Sequence, residues 1–215
     1  MSRAVLFDVD GVLVHGYHAR PEKQVRWDDR LKADLGVNPD EFREKFIKGV
    51  FVEKVIVGQM PLLEALDRAL PGFGYRGSSS AFVEYWLTHD SNLNQPLFDV
   101  VGRLKASGAR LFIATNQEHL RAKWLWENLK LSELFEDIFH SAKVGAIKPT
   151  KPYFDWVSNR LGPQTDRPLF FDDREDVIAA ANSYGWEGVL FNDLSDASEH
   201  PWIAPRLDTS IVTSR

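Results

Sequence analysis

Ala4-Val5-Leu6-Phe7-Asp8-Val9-Asp10-Gly11 is an apolar run that ends in two carboxylates, and its reading decides the fold. A continuous run of this kind is the pattern of an interior strand of a parallel sheet, covered on both faces. In open sheets of that type, ligands sit beyond the carboxyl ends of the strands. Side chains alternate along an extended chain, so Asp8 and Asp10 share a face while Val9 turns away, and Gly11 lets the backbone turn at once. One site can therefore hold a nucleophile, an acid/base and a divalent cation. Taken alone, Asp-x-Asp-Gly is also a common turn sequence, so the rest of the chain decides.

Outward from this strand, Val12 to Gly16 is short and apolar and gives way to the polar stretch His18 to Lys23, read as an exit from the core. From Val25 to about His89 the pattern is helical: Trp27, Leu31 and Leu35 recur at i, i+4 and i+8, and Phe42, Phe46, Leu62, Leu66 and Leu70 continue it. Asn38-Pro39 and Gln59-Met60-Pro61 read as helix starts, and Gly36 and the Gly72 to Gly77 region as stops. The α/β rhythm then resumes. Helices are expected from about Gln95 to Ser107, Glu118 to Lys130, Pro152 to Leu161 and after Asp173 to Tyr184; strands are expected at Ala109 to Ala114, Asp137 to His140, Pro168 to Phe171 and Gly188 to Phe191. Alternation of this sort predicts an α/β fold, a Rossmann-like parallel sheet with helices on both faces. The division expected is a core of residues 1–16 and 92–215 with a helical cap of residues 17–91 inserted after the first strand. The tail from Leu194 to Arg215 carries little pattern.

Composition narrows the partners. With 215 residues and 44% hydrophobic content the chain can bury a large core. A net charge of −5 and no Lys/Arg-rich stripe argue against nucleic acid. There is no cysteine, so disulfides, thiolate metal sites and thiol nucleophiles are excluded, and any metal is held by oxygen or histidine. No apolar stretch approaches the roughly 18 residues of a membrane helix, and no signal-peptide pattern is present. The expectation is a soluble, cytoplasmic monomer or homodimer acting on a small molecule, with neither membrane nor nucleic acid as partner.

At strand ends the chain offers Asp8/Asp10, then Thr115-Asn116, then Lys148 within Gly145-Ala146-Ile147-Lys148-Pro149, then Asp172-Asp173. Each has a plain structural alternative: a strand-to-turn transition for Thr115-Asn116, a solvated loop lysine for Lys148, a helix cap for Asp172-Asp173. Together they supply a carboxylate nucleophile, donors for a phosphate, a cation and a second carboxylate group for a metal. In this set and order the chain resembles the haloacid dehalogenase (HAD) superfamily, and the position of the helical block is similar to the small helical cap of one subclass.

The resemblance implies roles. Asp8 would attack phosphorus, become a transient aspartyl phosphate and bind the metal through its other oxygen. Asp10 would protonate the leaving alcohol and then activate water, and its backbone carbonyl would ligate the metal. Thr115 and the Asn116 amide would bind the phosphoryl oxygens. Lys148 would neutralise the phosphate charge beside Asp8, with Lys143 as a rival. Asp173 would be the direct carboxylate ligand of the metal, with Asp172 as a further ligand or its neighbour. An all-oxygen set suits Mg²⁺.

Within this superfamily dehalogenases lack an acidic residue at the position of Asp10, so phosphoryl transfer is expected: a Mg²⁺-dependent phosphatase acting through an aspartyl phosphate. A sugar phosphomutase is the alternative, and a haloacid dehalogenase or a catalytically silent binding protein of the same fold ranks lower. The stretch Phe171-Asp172-Asp173-Arg174 with Gly185-Trp186 resembles small-cap sugar-phosphate phosphatases. Arg43, Lys45, His15 and His18 read as solvated surface residues that could also face substrate. Of Trp124 and Trp126, one is expected in the core and the other exposed or at a subunit contact.

Overall fold

The computed structural model describes residues 3–208. Its strands are β1 (Ala4–Phe7), β2 (Val14–His15), β3 (Asn92–Leu93), β4 (Arg110–Thr115), β5 (Asp137–His140), β6 (Leu169–Asp172) and β7 (Glu187–Leu190). Five of them form one parallel sheet in the order β5-β4-β1-β6-β7. The apolar run is β1, the central strand, with Leu6 level with Phe112 on one side and Phe170 on the other. All four of its residues are fully buried. Alternation divides them between two cores. Val5 and Phe7 pack with Ile113 and Phe171 beneath one layer of helices, whereas Ala4 and Leu6 pack with Phe112 and Phe170 beneath the other. The stacked rings of Phe7 and Phe171, 5.1 Å apart, tie β1 to β6.

From β1 the chain proceeds to β4 and β5 on one side, then crosses back to β6 and β7 on the other. That reversal places the ends of β1 and β6 at a topological switch point, where α/β sheets open a crevice. The helices expected between these strands are present, among them Gln95–Ala106, His119–Glu127, Lys151–Leu161 and Glu175–Ser183.

The helical block leaves and re-enters through the antiparallel pair β2 and β3, which aligns Val14 with Leu93 and His15 with Asn92. It has its own core, including Leu31, Phe42, Phe46, Leu66, Phe82 and Trp86. Asn38 caps the helix Pro39–Phe42, its Oδ1 accepting the N–H groups of Asp40 and Glu41. Gly36 ends the helix Leu31–Leu35 in the left-handed region, φ 75°. Trp27 lies ahead of that helix, in turns, rather than on it. The segment Arg43–Val55 is wound more widely than an α-helix, with backbone N–H groups reaching five residues back, as Ile56 does to Phe51, and Gly49 departs from helical geometry within it.

The weakly patterned tail forms two short helices, Leu194–Ser198 and Ala204–Leu207, whose Ala197 and Leu207 join the larger core; its last residues, 209–215, lie outside the described ones. Trp124 and Trp126 are both half-buried, Trp124 against the helical block and Trp126 against the sheet core, so neither is the exposed partner expected. Among the described residues no helix is long and apolar enough to cross a membrane.

Candidate active site

β1 continues one residue past its strand, the Asp8 N–H donating to the Phe171 carbonyl, and this carries the Asp8 carboxylate to the sheet edge. Asp8 Oδ1 accepts from the Val9 N–H at 2.7 Å and from Lys148 Nζ at 2.9 Å. Lys148 is buried, and its three donors are all used: Asp8, Asp172 Oδ2 at 2.6 Å and the Ala114 carbonyl at 2.9 Å. Burial pulls the Lys148 pKa down, but Asp172 and then Asp8 outweigh it, and the net shift is upward. The ammonium therefore stays charged.

Asn116 holds this lysine by its backbone. Its Oδ1 accepts the Lys148 N–H at 2.8 Å and its Nδ2 donates to the Lys148 carbonyl at 3.1 Å. Thr115, at the end of β4, is buried beside it. Lys143, the rival cation, pairs instead with Asp137 at 3.2 Å.

The end of β6 supplies Asp172 and Asp173. Asp172 is fully buried and both its oxygens accept protein donors, Oδ2 from Lys148 and Oδ1 from the Arg174 N–H at 3.0 Å. Burial is the main cause that pushes its pKa up to about 7, opposed by Lys148 and reinforced by Asp8. Asp173 Oδ2 accepts the Ala19 N–H at 2.6 Å, and burial raises its pKa to about 6. His18, expected at the surface, is buried with Nδ1 3.3 Å from that oxygen. Because Nδ1 accepts the Arg20 N–H at 2.9 Å, and burial lowers the imidazole pKa, the His18 contact is with a neutral ring and is not an ion pair.

Asp8, Asp172 and Asp173 bring carboxylate oxygens within 4.8 Å of one another. The donor set is hard and all oxygen, the kind that suits Mg²⁺. Asp8 and Asp173 each keep one carboxylate oxygen without a protein donor, whereas Asp172 keeps none. Gly11 lies against this cluster with φ 78°, and a Cβ there would stand 2.5 Å from Asp173 Oδ2. The residues present thus fit a divalent cation, with Asp8 and Asp173 the freer donors.

Asp10 lines the same pocket as Asp8 and Asp173, with its carboxylate held by partners of its own. Gln117 Nε2 donates to its Oδ2 at 2.6 Å, and Arg121 clasps it with Nη2 at 2.8 Å from Oδ1 and Nη1 at 3.3 Å from Oδ2. Arg121 is buried and also pairs with Asp90 at 2.7 Å, at the exit of the helical block. Burial raises the Asp90 pKa to about 7, against the pull of Arg121. Gln117, Arg121 and Asp90 went unseen in the sequence. The only trace is their place in the chain: Gln117 follows Thr115-Asn116 just ahead of the N-cap Glu118, and Arg121 lies in the first turn of the helix His119–Glu127.

Two spaces meet at Asp10. A pocket of about 90 Å³ is lined by Asp8, Asp10, Thr115, Asn116, Lys148 and Asp173 among others. A cavity of about 510 Å³ between the helical block and the core shares Asp10, Tyr17, Asn116 and Arg174 with it. Arg43 lines the larger cavity but is bound to Asp28 at 2.8 Å, while Lys45 and His15 are exposed, Lys45 bonded to Glu41.

Comparison with known proteins identifies the family and the fold. The family described as haloacid dehalogenase-like hydrolase matches residues 2–185. The chain is similar to phosphatase MT3486 of Mycobacterium tuberculosis, 26% identical over 87% of this chain and 86% of that protein. It is also similar to the phosphoglycolate phosphatase of Rhodospirillum rubrum, 24% identical over 89% and 80% of the two chains. In fold it is similar to the HAD family enzyme bt-2542 of Bacteroides thetaiotaomicron, with a TM-score of 0.75, 20% identity and coverage of 92% and 97%. That enzyme has also been solved in complex with magnesium and inorganic phosphate, a structure that matches at a TM-score of 0.72, 20% identity and coverage of 91% and 98%.

Proposed function

The chain belongs to the haloacid dehalogenase-like hydrolases, and from that premise we propose that it is a Mg²⁺-dependent phosphomonoester hydrolase of a small phosphorylated metabolite. The observation that carries this reading is the buried Lys148 bridging Asp8 and Asp172 beside a pocket that Asp8, Asp10 and Thr115 also line. Similarity to two phosphatases, and the magnesium and phosphate bound by the bt-2542 enzyme, support it.

On this reading each group takes a step. Asp8 forms a bond to phosphorus as the bond from phosphorus to the alcohol oxygen breaks, and Asp10 gives that oxygen its proton. Asp10 then takes a proton from water, which attacks phosphorus and releases Asp8 and inorganic phosphate. Lys148, with Thr115 and the Asn116 backbone N–H, offsets the negative charge that would otherwise keep phosphate away from Asp8. Asp173 and Asp8 would hold Mg²⁺, with the Asp10 carbonyl; when bound, the ion offsets phosphoryl charge as a Lewis acid. Asp172 serves mainly to hold Lys148. Water, rather than a second phosphorylated substrate, is the acceptor, because each cation lining the large cavity already faces a carboxylate: Arg26 and Arg43 both at Asp28, Lys48 at Glu44, Arg121 at Asp10 and Arg174 at Asp176. Residues 17–91 act as the cap that closes the alcohol side of the site.

The test is release of inorganic phosphate from a panel of sugar phosphates, nucleotides and an aryl phosphate, with Mg²⁺ or with chelator, in wild type and Asp8→Asn. Mg²⁺-dependent release that disappears in the variant is expected. Equal release with chelator, or release surviving Asp8→Asn, refutes the reading.

A further inference from the structure

Resting on that reading of the site, we propose that the alcohol half of the substrate is an apolar body, a ring or an alkyl chain, seated in the cavity between the helical block and the core. This departs from the sugar phosphate that the Phe171 to Arg174 stretch suggests.

Position comes first. Asp10 belongs to both the phosphate pocket and the larger cavity. The oxygen it protonates bridges phosphorus and carbon, so with the phosphoryl group beside Asp8 and Lys148 the carbon side of the ester extends into the larger space. At about 510 Å³ that space is of the size that holds a whole small molecule.

Chemistry of the wall comes next. Of the four large hydrophobic side chains that the described residues expose, three line this cavity: Tyr17, Val25 and Val52, at 62%, 48% and 47%. Apolar groups left open to water at one concave site are poised to be covered by an apolar ligand. Trp27, Ile47 and Ile56 extend the same surface inward. The charged groups around it are spent on one another. Asp28, 2% exposed, accepts from both Arg26 and Arg43, and Glu118 caps the start of its own helix through the Leu120 and Arg121 N–H groups. A polyol placed here would bury several hydroxyls with few partners, which is unfavourable. The Tyr17 hydroxyl and the Trp27 indole N–H, which bond to no described residue, offer at most one or two directional contacts to a largely apolar guest.

The test compares esters of primary alcohols, so that the leaving groups match in reactivity: 2-phenylethyl phosphate and hexyl phosphate against glucose 6-phosphate and glycerol 3-phosphate, each with Mg²⁺. The apolar pair is expected to exceed the polyol pair in kcat/KM by about tenfold or more, the scale on which an apolar pocket discriminates. Val52→Asp, at an exposed position, is expected to shrink that ratio about tenfold. Tyr17→Ala separates the two sources of apolar body, lowering the phenylethyl ester relative to the hexyl ester if a ring is preferred and leaving their ratio unchanged if a chain is; either supports the proposal. Equal or greater kcat/KM for the polyol esters overturns it while leaving the hydrolase standing, as does a ratio that Val52→Asp does not change. Absence of release from all four overturns the inference, and the hydrolase reading falls with it only when the nucleotides and the aryl phosphate of the first panel are also left intact.

Discussion

Replacing Lys148 by methionine probes the ion cluster at its centre. The ammonium is 2% exposed and lies 2.9 Å from Asp8 and 2.6 Å from Asp172. At such distances and an effective dielectric of about 20, each pair attracts by about 6 kcal/mol before desolvation is subtracted. Methionine keeps most of the volume and removes the charge, leaving two buried carboxylates facing each other. Breaking a buried pair from one side costs about 3–5 kcal/mol. The loss should fall near the lower end, because burial already holds Asp172 near a pKa of about 7 and it can take up a proton. Asp172→Asn alone keeps an acceptor for Lys148 and should cost about 1–2 kcal/mol. Combining the two removes both the cation and the stranded charge, so Lys148→Met/Asp172→Asn should be more stable than Lys148→Met by about 1–3 kcal/mol. The measurement is urea unfolding at pH 7.5 in chelator, which prevents a divalent ion from replacing the lost cation. Phosphate release should be abolished in Lys148→Met and in the double variant. A loss below about 1 kcal/mol for Lys148→Met, or strict additivity in the double variant, refutes the argument that charge compensation holds this cluster.

Gly11→Ala should raise the Mg²⁺ concentration for half-maximal activity about tenfold, the scale seen when a metal ligand is displaced by its neighbour; the added Cβ would stand 2.5 Å from Asp173 Oδ2, and an unchanged Mg²⁺ titration refutes the fit. Arg121→Leu should lower stability by about 3–5 kcal/mol and kcat together, with part of the stability restored by Asp90→Asn, because Asp90 is 5% exposed and loses the one cation that pairs with it among the described residues. His140 is pushed down to about 4, first by burial and then by His119 and Lys143. Its folded pKa lies below the unfolded value of about 6.5, so the stability it contributes is present above about 6.5 and lost as pH falls toward 4. His140→Phe should therefore lose less stability than wild type between pH 7 and pH 5 in urea melts, and parallel curves count against it.

The strands were legible because each is a short apolar run closed by a polar residue. β1 and β5 lie at the predicted Ala4 to Phe7 and Asp137 to His140, and the other sheet strands differ by one residue at their ends. Reading strand ends also found Asp8, Thr115 and Asp173, and the Gly145 to Pro149 loop gave Lys148; the fold brings these separate runs to one pocket. What escaped has no local pattern. Arg121 is one charged residue on a helix until docking buries it between Asp10 and Asp90, 111 and 31 positions away. The wide turns of Arg43–Val55 and the departure at Gly49 depend on packing that no period of 3.6 announces. The helices Leu194–Ser198 and Ala204–Leu207 are too short to stand on propensity and are held by Ala197 and Leu207 in the sheet core.

The same contrast separates the two halves of the site. Asp8, Thr115 and Asp173 stand at the ends of adjacent strands, where the sheet leaves little freedom, and on the proposed reading their work is the same whatever alcohol the phosphate carries. Tyr17, Val25 and Val52 stand on connecting turns and on the widely wound helix, outside the sheet altogether. Asp10, Tyr17, Asn116 and Arg174 line both spaces, and on the proposed reading Asp10 meets the alcohol at the bridging oxygen. Nothing in the sheet therefore reads the body of the substrate. On that reading Val25 and Val52, which line the larger cavity and not the small pocket, are where a change in substrate class can be made without touching the groups around Asp8.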